Sequence, residues 1–391
     1  MGENKTSLYM LEAYTPYTTG CDTFMKEFMK GMLRHCGFNL HVIVEDSPVK
    51  NITKKHEAGI TYIYFPETRQ NKFAALETCM EKAVSHSSEM IFVSNFCPVI
   101  FNIKAIRKLF PHAKFVHVIH DLPWLTVFGG DENAYMDYIM GHETSSVNSR
   151  DGKFVKYCTY DIVESFKQAD MIVCLCESTY QMLTDFYGIA HEKIRLIRNG
   201  MEDHVVSGMT KAARDFVKGK YNIPSDGLTV LLAGRLTYSK GADRISGMLG
   251  MLSKSISCNL VYAGLDDVDK WLPDHMQGSV TNIGFISHAE MMELYTVVDM
   301  GLFPSRHEQC SYVGIEFLMN GIPVIYVPDY GIRDMFRKEF SFEYSASTYS
   351  MITIGQIEAK KLAARNEYLK NYTAEKMNSR YVSLFRELIS A

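Results

Sequence analysis

Little in this chain marks it as a secreted, membrane-spanning or disulfide-stapled protein. Its nine cysteines include no C-x-x-C pair, and the closest two, Cys174 and Cys176, lie in the apolar run MIVCLC. No run reaches the roughly 18 apolar residues of a spanning helix, and no basic stretch followed by an apolar one opens the chain. We therefore expect a cytoplasmic protein with buried free thiols.

The chain also has no large excess of charge of one sign and lacks the best-known phosphate-binding loops. The formal net charge is −4, which does not indicate a nucleic-acid-binding protein. Neither G-x-G-x-x-G nor G-x-x-x-x-G-K-[ST] occurs, so two common nucleotide-binding loops are excluded. What remains is an ordinary globular composition, with 47% apolar and 22% charged residues, and 391 residues are enough for two or three domains.

Short apolar runs alternate with longer amphipathic ones almost from end to end. In one amphipathic stretch Phe24, Phe28 and Met32 recur every four residues, which is typical of a helix. Near-continuous apolar strands between helices indicate parallel sheets covered on both faces. The predicted strands are residues 7–13, 39–45, 60–65, 89–94, 114–120, 170–176 and 194–199, followed by 228–234, 259–264, 280–285, 299–304 and 323–328.

The alternation pauses once, and the pause divides the chain. Residues 204–227 contain no predicted strand and end in a Pro-Ser-Asp-Gly turn, and residues 360–391 are predicted to be helical throughout. We predict an α/β fold with two doubly wound domains joined near residues 204–227. Two facing sheets of this kind form a cleft at the carboxyl ends of their strands, where ligands bind.

Two loops of the first half follow predicted strands. Gly20, in TPYTTGCDTF, lets backbone amides approach a ligand at a helix N-terminus, and the alternative is an ordinary turn glycine. His120 and Asp121 come just past a strand, where a histidine can exchange a proton with a substrate hydroxyl. The alternative is a histidine satisfied within a capped loop. His117, inside the strand, is predicted to be structural.

Two cations flank the loop that follows the strand at residues 228–234. Arg235 and Lys240 lie in LLAGRLTYSKGADRI, beside Gly234 and Gly241. Fixed cations assisted by a helix N-terminus suit a diphosphate that gains negative charge as it leaves. The alternative is a pair of solvated loop charges.

The segment FPSRHEQCSYVGIEFLMNGIPVI contains two glutamates, Glu308 and Glu316. An unpaired buried carboxylate is costly, so Glu316 either points outward on an amphipathic helix or faces a cleft and holds a ligand. On one helix the two carboxylates would lie about 12 Å apart, farther than the roughly 5 to 9.5 Å of a glycosidase pair. They are better suited to two parts of one extended ligand. The helix is predicted to end at Asn320-Gly321.

Four of these segments form an ordered set that covers nearly the whole chain. GRLTYSKG fits the pattern G-R-L-x-x-x-K-G, and PSRHEQCSYVGIEFLMNGIPVI fits P-S-x-x-E-x(7)-E-x-x-x-x-G-x-P-V-I. ADMIVCLCESTYQMLTDFYGIAHEKIRLIRNGMED fits a pattern AD…vS…KI…NG, and VIHD ends a strand in His-Asp. In these motifs the chain resembles the GT-B glycosyltransferases of the large retaining family 4, which use nucleotide-sugar donors.

The resemblance implies two Rossmann-like doubly wound domains that face each other across a cleft. Residues 1–205 would bind the acceptor, and residues 206–370 would bind the nucleotide-sugar donor. Residues 371–391 would form a helix that crosses back to pack on the first domain.

By the same resemblance, the catalytic residues are His120, Arg235, Lys240 and Glu308. The two cations would stabilise the donor diphosphate, Glu308 would bind hydroxyls of the transferred sugar, and His120 would lie near the reacting centre. Glu316 would bind the ribose. The remaining donor-binding residues would be Gly20, Cys21, Gly234, Gln309, Cys310, Ser311, Tyr312 and Val313.

The implied reaction needs no metal and no cofactor beyond the nucleotide-sugar co-substrate. A sugar moves with retained configuration from a nucleotide diphosphate to an unknown glycan, lipid-linked or small-molecule acceptor. We favour UDP as the nucleotide, with GDP as the alternative. Asp267-Val268-Asp269 imitates a metal-binding D-x-D motif, but we interpret these residues as loop acids. Gln309-Cys310-Ser311 replaces the family's Gly-Phe-Gly, which leaves the donor sugar open.

Two other functions fit the same motifs. A non-catalytic GT-B-like protein would bind sugar or serve as a scaffold for a second transferase. A sugar-nucleotide epimerase would convert the donor with no acceptor present.

Two further segments bear on partners. FNIKAIRKLFPHAKF (101–115) contains Lys104, Arg107, Lys108 and Lys114 near apolar residues, which predicts either peripheral contact with the inner face of a membrane or a solvated helix face. Residues 126–154 form an unusually long predicted loop, suited to reading the acceptor.

Overall fold

The computed structural model forms two compact units. The first consists of Met1–Phe128, Asn133–Gly200 and Ala374–Ala391, and the second of Gly129–Glu132 and Met201–Thr373. The domain limits predicted from the sequence, after residues 205 and 370, stay predictions. The structure describes residues 5–15, 20–35, 37–67, 72–95, 100–142, 149–206, 208–254, 256–276, 278, 280–345 and 352–390.

The first unit contains an eight-stranded sheet with the order β3-β4-β2-β1-β5-β6-β7-β8. All neighbouring strands are parallel except β3 and β4, which form an antiparallel hairpin at one edge. The strands are β1 Thr6–Ala13, β2 Phe38–Ser47, β3 Thr53–Glu57, β4 Ile60–Pro66, β5 Met90–Ser94, β6 Lys114–Val118, β7 Met171–Cys174 and β8 Ile194–Leu196.

The second unit contains a six-stranded parallel sheet with the order β11-β10-β9-β12-β13-β14. Its central strands β9 and β12 are neighbours, so the loops that follow them meet at the same edge of the sheet. The strands are β9 Leu228–Ala233, β10 Cys258–Ala263, β11 Thr281–Asn282, β12 Met300–Phe303, β13 Val324–Tyr326 and β14 Phe342–Glu343.

Helices connect most of the parallel strands, as a doubly wound fold requires. The predicted α/β class with two such domains is therefore confirmed. The helices are α1 Gly20–Arg34, α2 Lys72–Ala83, α3 Ile100–Leu109, α4 Pro123–Val127, α5 Glu132–Met140, α6 Ser149–Gln168, α7 Glu177–Gln181, α8 Lys211–Lys220, α9 Ile245–Ser253, α10 His288–Tyr295, α11 Tyr312–Met319, α12 Ile332–Met335, α13 Ile354–Asn371 and α14 Ala374–Ser390.

Helix α14 belongs to the first unit, where it packs on α1. The Tyr381 ring meets Phe28 edge-on at 5.0 Å between centroids. Asn378 lies against Gly31, where any larger residue would collide with its amide, and donates to the Glu27 carbonyl at 3.3 Å. The prediction of one uninterrupted terminal helix was wrong. The helix is interrupted between α13 and α14, where Thr373 forms a parallel β-bridge with Met201.

The long loop predicted at residues 126–154 is largely helical. It contains all of α5 and the start of α6, while residues 143–148 lie outside the described part of the chain. The sequence misled here because Gly129, Gly130 and Gly141, all at positive φ, punctuate the segment and made it look irregular.

Some basic side chains of the face predicted on α3 bond to other residues of the protein. Arg107 donates to the Gln168 carbonyl at 2.9 Å and to Asp170 at 2.7 Å, and Lys108 pairs with Glu77. Phe110 is buried. Two of the four cations of this face therefore have internal partners, and peripheral contact with a membrane stays a prediction. None of the described helices is both long and apolar enough to cross a bilayer.

Candidate active site

The loop after β9 is shaped by a glycine that no other residue could replace without rearrangement. Gly241 has a φ of +68°, and a Cβ at this position would lie 1.8 Å from the Pro304 carbonyl oxygen. The turn that carries Lys240 therefore lies directly against the end of β12. Arg235, on the same loop, is exposed, while the backbone N–H of Leu236 donates to Asp266 at 2.6 Å.

Lys240 meets Glu308 at this edge of the sheet. Its Nζ lies 2.5 Å from Glu308 Oε1, which also accepts from the Ser305 hydroxyl at 3.0 Å. The Glu308 backbone N–H donates to the Tyr330 carbonyl at 3.1 Å. The carboxylate side chain is 13% exposed and the lysine 34%, so the pair is partly shielded from solvent. Two residues 68 positions apart in sequence thus form one charged centre.

Sequence analysis missed Arg306, which ties the two loops together. Its guanidinium holds Asp243 in a bidentate pair at 2.6 and 2.7 Å, stacks 3.6 Å from the Tyr238 ring centroid, and donates to the Tyr238 carbonyl. Its backbone N–H donates to Ser239. The hydrogen bonds from Arg306 lower the pKa of Asp243. Planar, bidentate pairing is a strength of arginine, so this contact fixes loop geometry as well as charge.

Replacing Arg306 with alanine is expected to destabilise the protein by about 1 kcal/mol at neutral pH, after allowance for the 39% exposure of Asp243. A lowered carboxyl pKa gives stability that is present above its unfolded value, 3.8, and lost as the pH falls through the folded value. The difference between wild type and variant should therefore shrink in acid. Urea unfolding of wild type, Arg306→Ala, Asp243→Asn and the double variant, analysed as a double-mutant cycle, measures this difference. A difference in free energy of unfolding that does not change with pH would contradict the prediction.

Glu316 does not point outward, so that alternative was wrong. It is 9% exposed on α11, between Ile315 and Phe317, which are fully buried. Its Oε2 accepts from the Tyr295 hydroxyl at 2.8 Å, and its Oε1 lies 3.5 Å from His288 Nε2. Burial and the nearby Glu316 carboxylate raise the pKa of Tyr295, so the phenol stays protonated and keeps donating.

The segment between the two glutamates forms a tight entry to α11. Ser311 caps the helix by accepting from the Gly314 N–H at 3.3 Å, and Gln309 and Cys310 are buried. Tyr312 and Val313 open the helix and are half-buried. The helix ends at Met319, and Gly321 follows at a φ of +64°, as the Asn320-Gly321 pattern predicted.

A histidine that the sequence analysis did not single out lies inside this centre. His307 is between Arg306 and Glu308 in the chain and bridges to Tyr330. Burial lowers its pKa to about 4, although the Glu308 carboxylate acts in the opposite direction. Its imidazole is therefore neutral at physiological pH, and the positive charge of the centre comes from lysine and arginine.

Three predicted site residues belong to the first unit. His120 follows β6, and its ring lies edge-on to Phe24 of α1 at 4.6 Å. Burial lowers its pKa to about 3, so it is a neutral hydrogen-bonding group rather than a cation. Gly20 is the exposed first described residue of α1, and Cys21 beside it is half-exposed.

Near the carboxyl end of β1, Glu12 is a third residue that the sequence analysis did not single out. It is 8% exposed and accepts from the Asn95 amide at 2.6 Å. Burial raises its pKa to about 7, against the opposing effect of the Asn95 hydrogen bond. A carboxyl group with this pKa exchanges protons near neutrality, which is the range that acid–base chemistry needs.

Glu12 should make the stability of the protein fall as the pH rises. Its folded pKa exceeds the ordinary value of 4.5, so the folded state binds the proton more tightly, and stability declines between about pH 4.5 and 7. Glu12→Gln is expected to reduce this decline by about 2 kcal/mol. Thermal unfolding across this range tests it, with the exposed Glu81→Gln as a control. Parallel pH profiles for Glu12→Gln and wild type would contradict the prediction.

The two acids Asp267 and Asp269 have local partners. Asp267 lies 3.6 Å from Lys270, and Asp269 accepts from the Gly278 N–H at 3.0 Å. Across the described residues, no three His, Cys, Asp or Glu side chains are grouped so as to hold a metal ion.

Two family models match consecutive parts of the chain. Residues 18–204 match the model described as Glycosyltransferase Family 4, and residues 213–359 match the one described as Glycosyl transferases group 1. With two doubly wound domains and the loop motifs described above, the chain belongs to the GT-B glycosyltransferases of the family 4 type. The resemblance inferred from the motifs is confirmed.

Relatives known from sequence are distant. An uncharacterized glycosyltransferase of Methanocaldococcus jannaschii is 22% identical over 237 residues, 57% of this chain and 60% of the relative. The glycogen synthase of Mycobacterium tuberculosis is 26% identical over 171 residues, 42% of this chain and 39% of the relative. The chain thus matches 60% or less of the length of these two proteins.

Solved structures show the same fold over almost the full chain. Sucrose-phosphate synthase from Thermosynechococcus elongatus has a TM-score of 0.72 at 14% identity and covers 99% of this chain and 100% of its own. Anabaena HepE, solved in complex with UDP-glucose, has a TM-score of 0.69 at 11% identity, with 97% and 99% covered.

Proposed function

We propose that the protein is a metal-independent, retaining glycosyltransferase that moves a sugar from a nucleotide diphosphate, UDP in preference to GDP, to an acceptor. The observation that carries this proposal is the pair of Lys240 and Glu308 at the carboxyl ends of β9 and β12. There a fixed cation and a carboxylate share one hydrogen-bonded centre. A donor needs both, one group for its diphosphate and one for its sugar hydroxyls.

The pair suggests how the donor is held. As the diphosphate binds, the Lys240 ammonium exchanges its ion pair with Glu308 for one with the phosphate oxygens. The exposed Arg235 adds a second cation. The released Glu308 carboxylate then accepts from hydroxyls of the sugar. Charge that develops on the leaving diphosphate is stabilised by cations that are already in place.

Glu316 is proposed to bind the ribose of the nucleotide. Tyr295 and His288 fix its two carboxylate oxygens, and each oxygen retains a lone pair that can accept from a ribose hydroxyl. A carboxylate oriented by neighbours loses little freedom on binding. Gly234, together with residues Gln309 to Val313, completes the donor-binding set in this proposal.

The first unit is proposed to supply the acceptor site. His120 would hydrogen-bond, as a neutral imidazole, near the transferred sugar, and Gly20 with Cys21 would lie near the phosphates. The acceptor is a glycan, a lipid-linked sugar or a small molecule. HepE has been solved in complex with UDP and with UDP-glucose, which supports UDP as the nucleotide of the donor.

A binding panel tests the proposal. UDP, GDP, ADP and their glucose or mannose conjugates are titrated by calorimetry and thermal shift, and a ligand at about 100 times its Kd should add about 2.7 kcal/mol of stability. We expect UDP compounds to bind in the micromolar range and to lose affinity in Lys240→Ala. The absence of any response would favour the non-catalytic scaffold. Conversion of UDP-glucose into another sugar nucleotide without acceptor would favour the epimerase.

A further inference from the structure

A recess lies in the first unit at the amino ends of β1 and β2, on the opposite edge of the sheet from the end of β6 that precedes His120. This open recess has a volume of about 560 Å³, which is within the range of small-molecule sites. Its lining comes from the end of α1, the segment between α2 and β5, the first residues of β1 and β2, and the β3–β4 hairpin.

The described lining of this recess is basic. It contains Lys5 and four histidines, His35, His41, His56 and His86, and no aspartate or glutamate. Hydroxyl and amide groups complete the polar part of the wall and offer partners for a hydroxylated ligand. They are Ser7, Asn39, Thr61, Ser85 and Ser87.

His41 is stacked on Tyr9 in this wall. Its ring lies 4.4 Å from the Tyr9 ring at 15°, and its buried Nδ1 has no hydrogen-bond partner in the described part of the chain. Burial and then the charges of Lys54 and His56 lower the pKa of His41. The surrounding field is thus positive, and an anion in the recess would relieve it.

We propose that this recess binds a small phosphorylated polyol, such as a sugar phosphate. The phosphate monoester would accept from Lys5 and the histidine ring nitrogens, and the hydroxyls would bond to the serine, threonine and asparagine groups. The site is separate from the Lys240 centre and does not depend on the donor-transfer proposal. We infer the class of ligand from the basic and hydroxyl side chains that line the recess.

The interaction should strengthen in mild acid. Burial and the neighbouring charges lower the pKa of His41, and a bound phosphate would raise it, so protonation of His41 and phosphate binding favour each other as the pH falls. The acidic groups nearby are Glu57, which follows His56 on the hairpin, and Glu89, which accepts from Thr6 at 2.6 Å.

Calorimetric titration with glucose 6-phosphate, inorganic phosphate and glucose at about pH 6 and pH 8 tests the proposal. We expect glucose 6-phosphate to bind with a Kd of about 0.1 to 1 mM at the lower pH. His41→Phe keeps the stacking on Tyr9, and His86→Gln changes an exposed residue; each should weaken binding about tenfold. The exposed His191→Gln, remote from the recess, is the matched control and should bind like wild type.

Three results would overturn the proposal. They are no binding at about 10 mM ligand, unchanged affinity in both His41→Phe and His86→Gln, and displacement of the ligand by UDP, which would place the phosphate at the Lys240 centre. Loss of UDP binding in Lys240→Ala with glucose 6-phosphate binding intact would separate this site from the donor site.

Discussion

Lys240→Ala is expected to lower the rate of sugar transfer by at least about 100-fold, equivalent to roughly 3 kcal/mol of transition-state stabilisation. The variant removes the cation that we propose meets the diphosphate as negative charge develops on it. It also leaves the Glu308 carboxylate, 13% exposed, without its ion-pair partner. The loss should therefore appear in kcat as well as in the affinity for the donor.

The measurement is nucleotide release from UDP-sugars, with water or an added glycan as acceptor. Lys270→Ala is the matched control, because Lys270 is another lysine of the second unit, paired with a loop aspartate, Asp267, at 3.6 Å. It should leave the rate unchanged. Near-wild-type turnover in Lys240→Ala would remove the main support for the catalytic assignment, which is the ion pair between Lys240 and Glu308.

The second large effect is expected on stability. Gly241→Ala should lower the free energy of unfolding by about 2 to 4 kcal/mol, because alanine is strained at a positive φ and the Pro304 carbonyl must move away. The displaced loop carries Lys240, so donor affinity should fall as well. Gly250→Ala is the opposite case: Gly250 lies within α9 with nothing near its Cβ, and the change should add about 0.5 to 1 kcal/mol.

Tryptophan fluorescence can report this effect from the second unit alone. The chain has two tryptophans, Trp124 in the first unit and Trp271 in the second. In a Trp124→Phe background, urea unfolding followed by Trp271 fluorescence compares Gly241→Ala with Gly250→Ala. Equal midpoints for the two variants would show that the Gly241 turn tolerates a side chain, contrary to the geometry.

The sheets were predictable because burial leaves a direct trace in sequence. Strands covered on both faces are almost continuously apolar, and every strand predicted from such a run is present, with ends shifted by a few residues. The edge strand β3, with the sequence TKKHE, was missed because only one of its five residues is shielded even partly. Its polar pattern carries no period-2 signal, and pairing with β4 alone defines it.

The site was predictable where a motif fixed it and unpredictable where a distant partner did. The sequence predicted that Lys240 and Glu308 each follow a strand of the second half, and the structure shows that these strands, β9 and β12, are neighbours. The partners of Glu316 come from another helix, α10, and nothing in the local pattern points to Tyr295 or His288. Arg306 and Glu12 were overlooked for the same reason. Their roles depend on hydrogen bonds with residues distant in sequence, Asp243 and Asn95 respectively.

The place of α14 in the first unit also sets the order in which the protein can fold during synthesis. Tyr381 and Phe385 contact aromatic residues of α1, more than 350 positions earlier in the chain. The second unit, Met201–Thr373, is translated in between and has its own core. The first unit therefore begins folding before the second but completes its core after it. Until residues 374–390 emerge from the ribosome, the face of α1 that they cover remains open to chaperones and to aggregation.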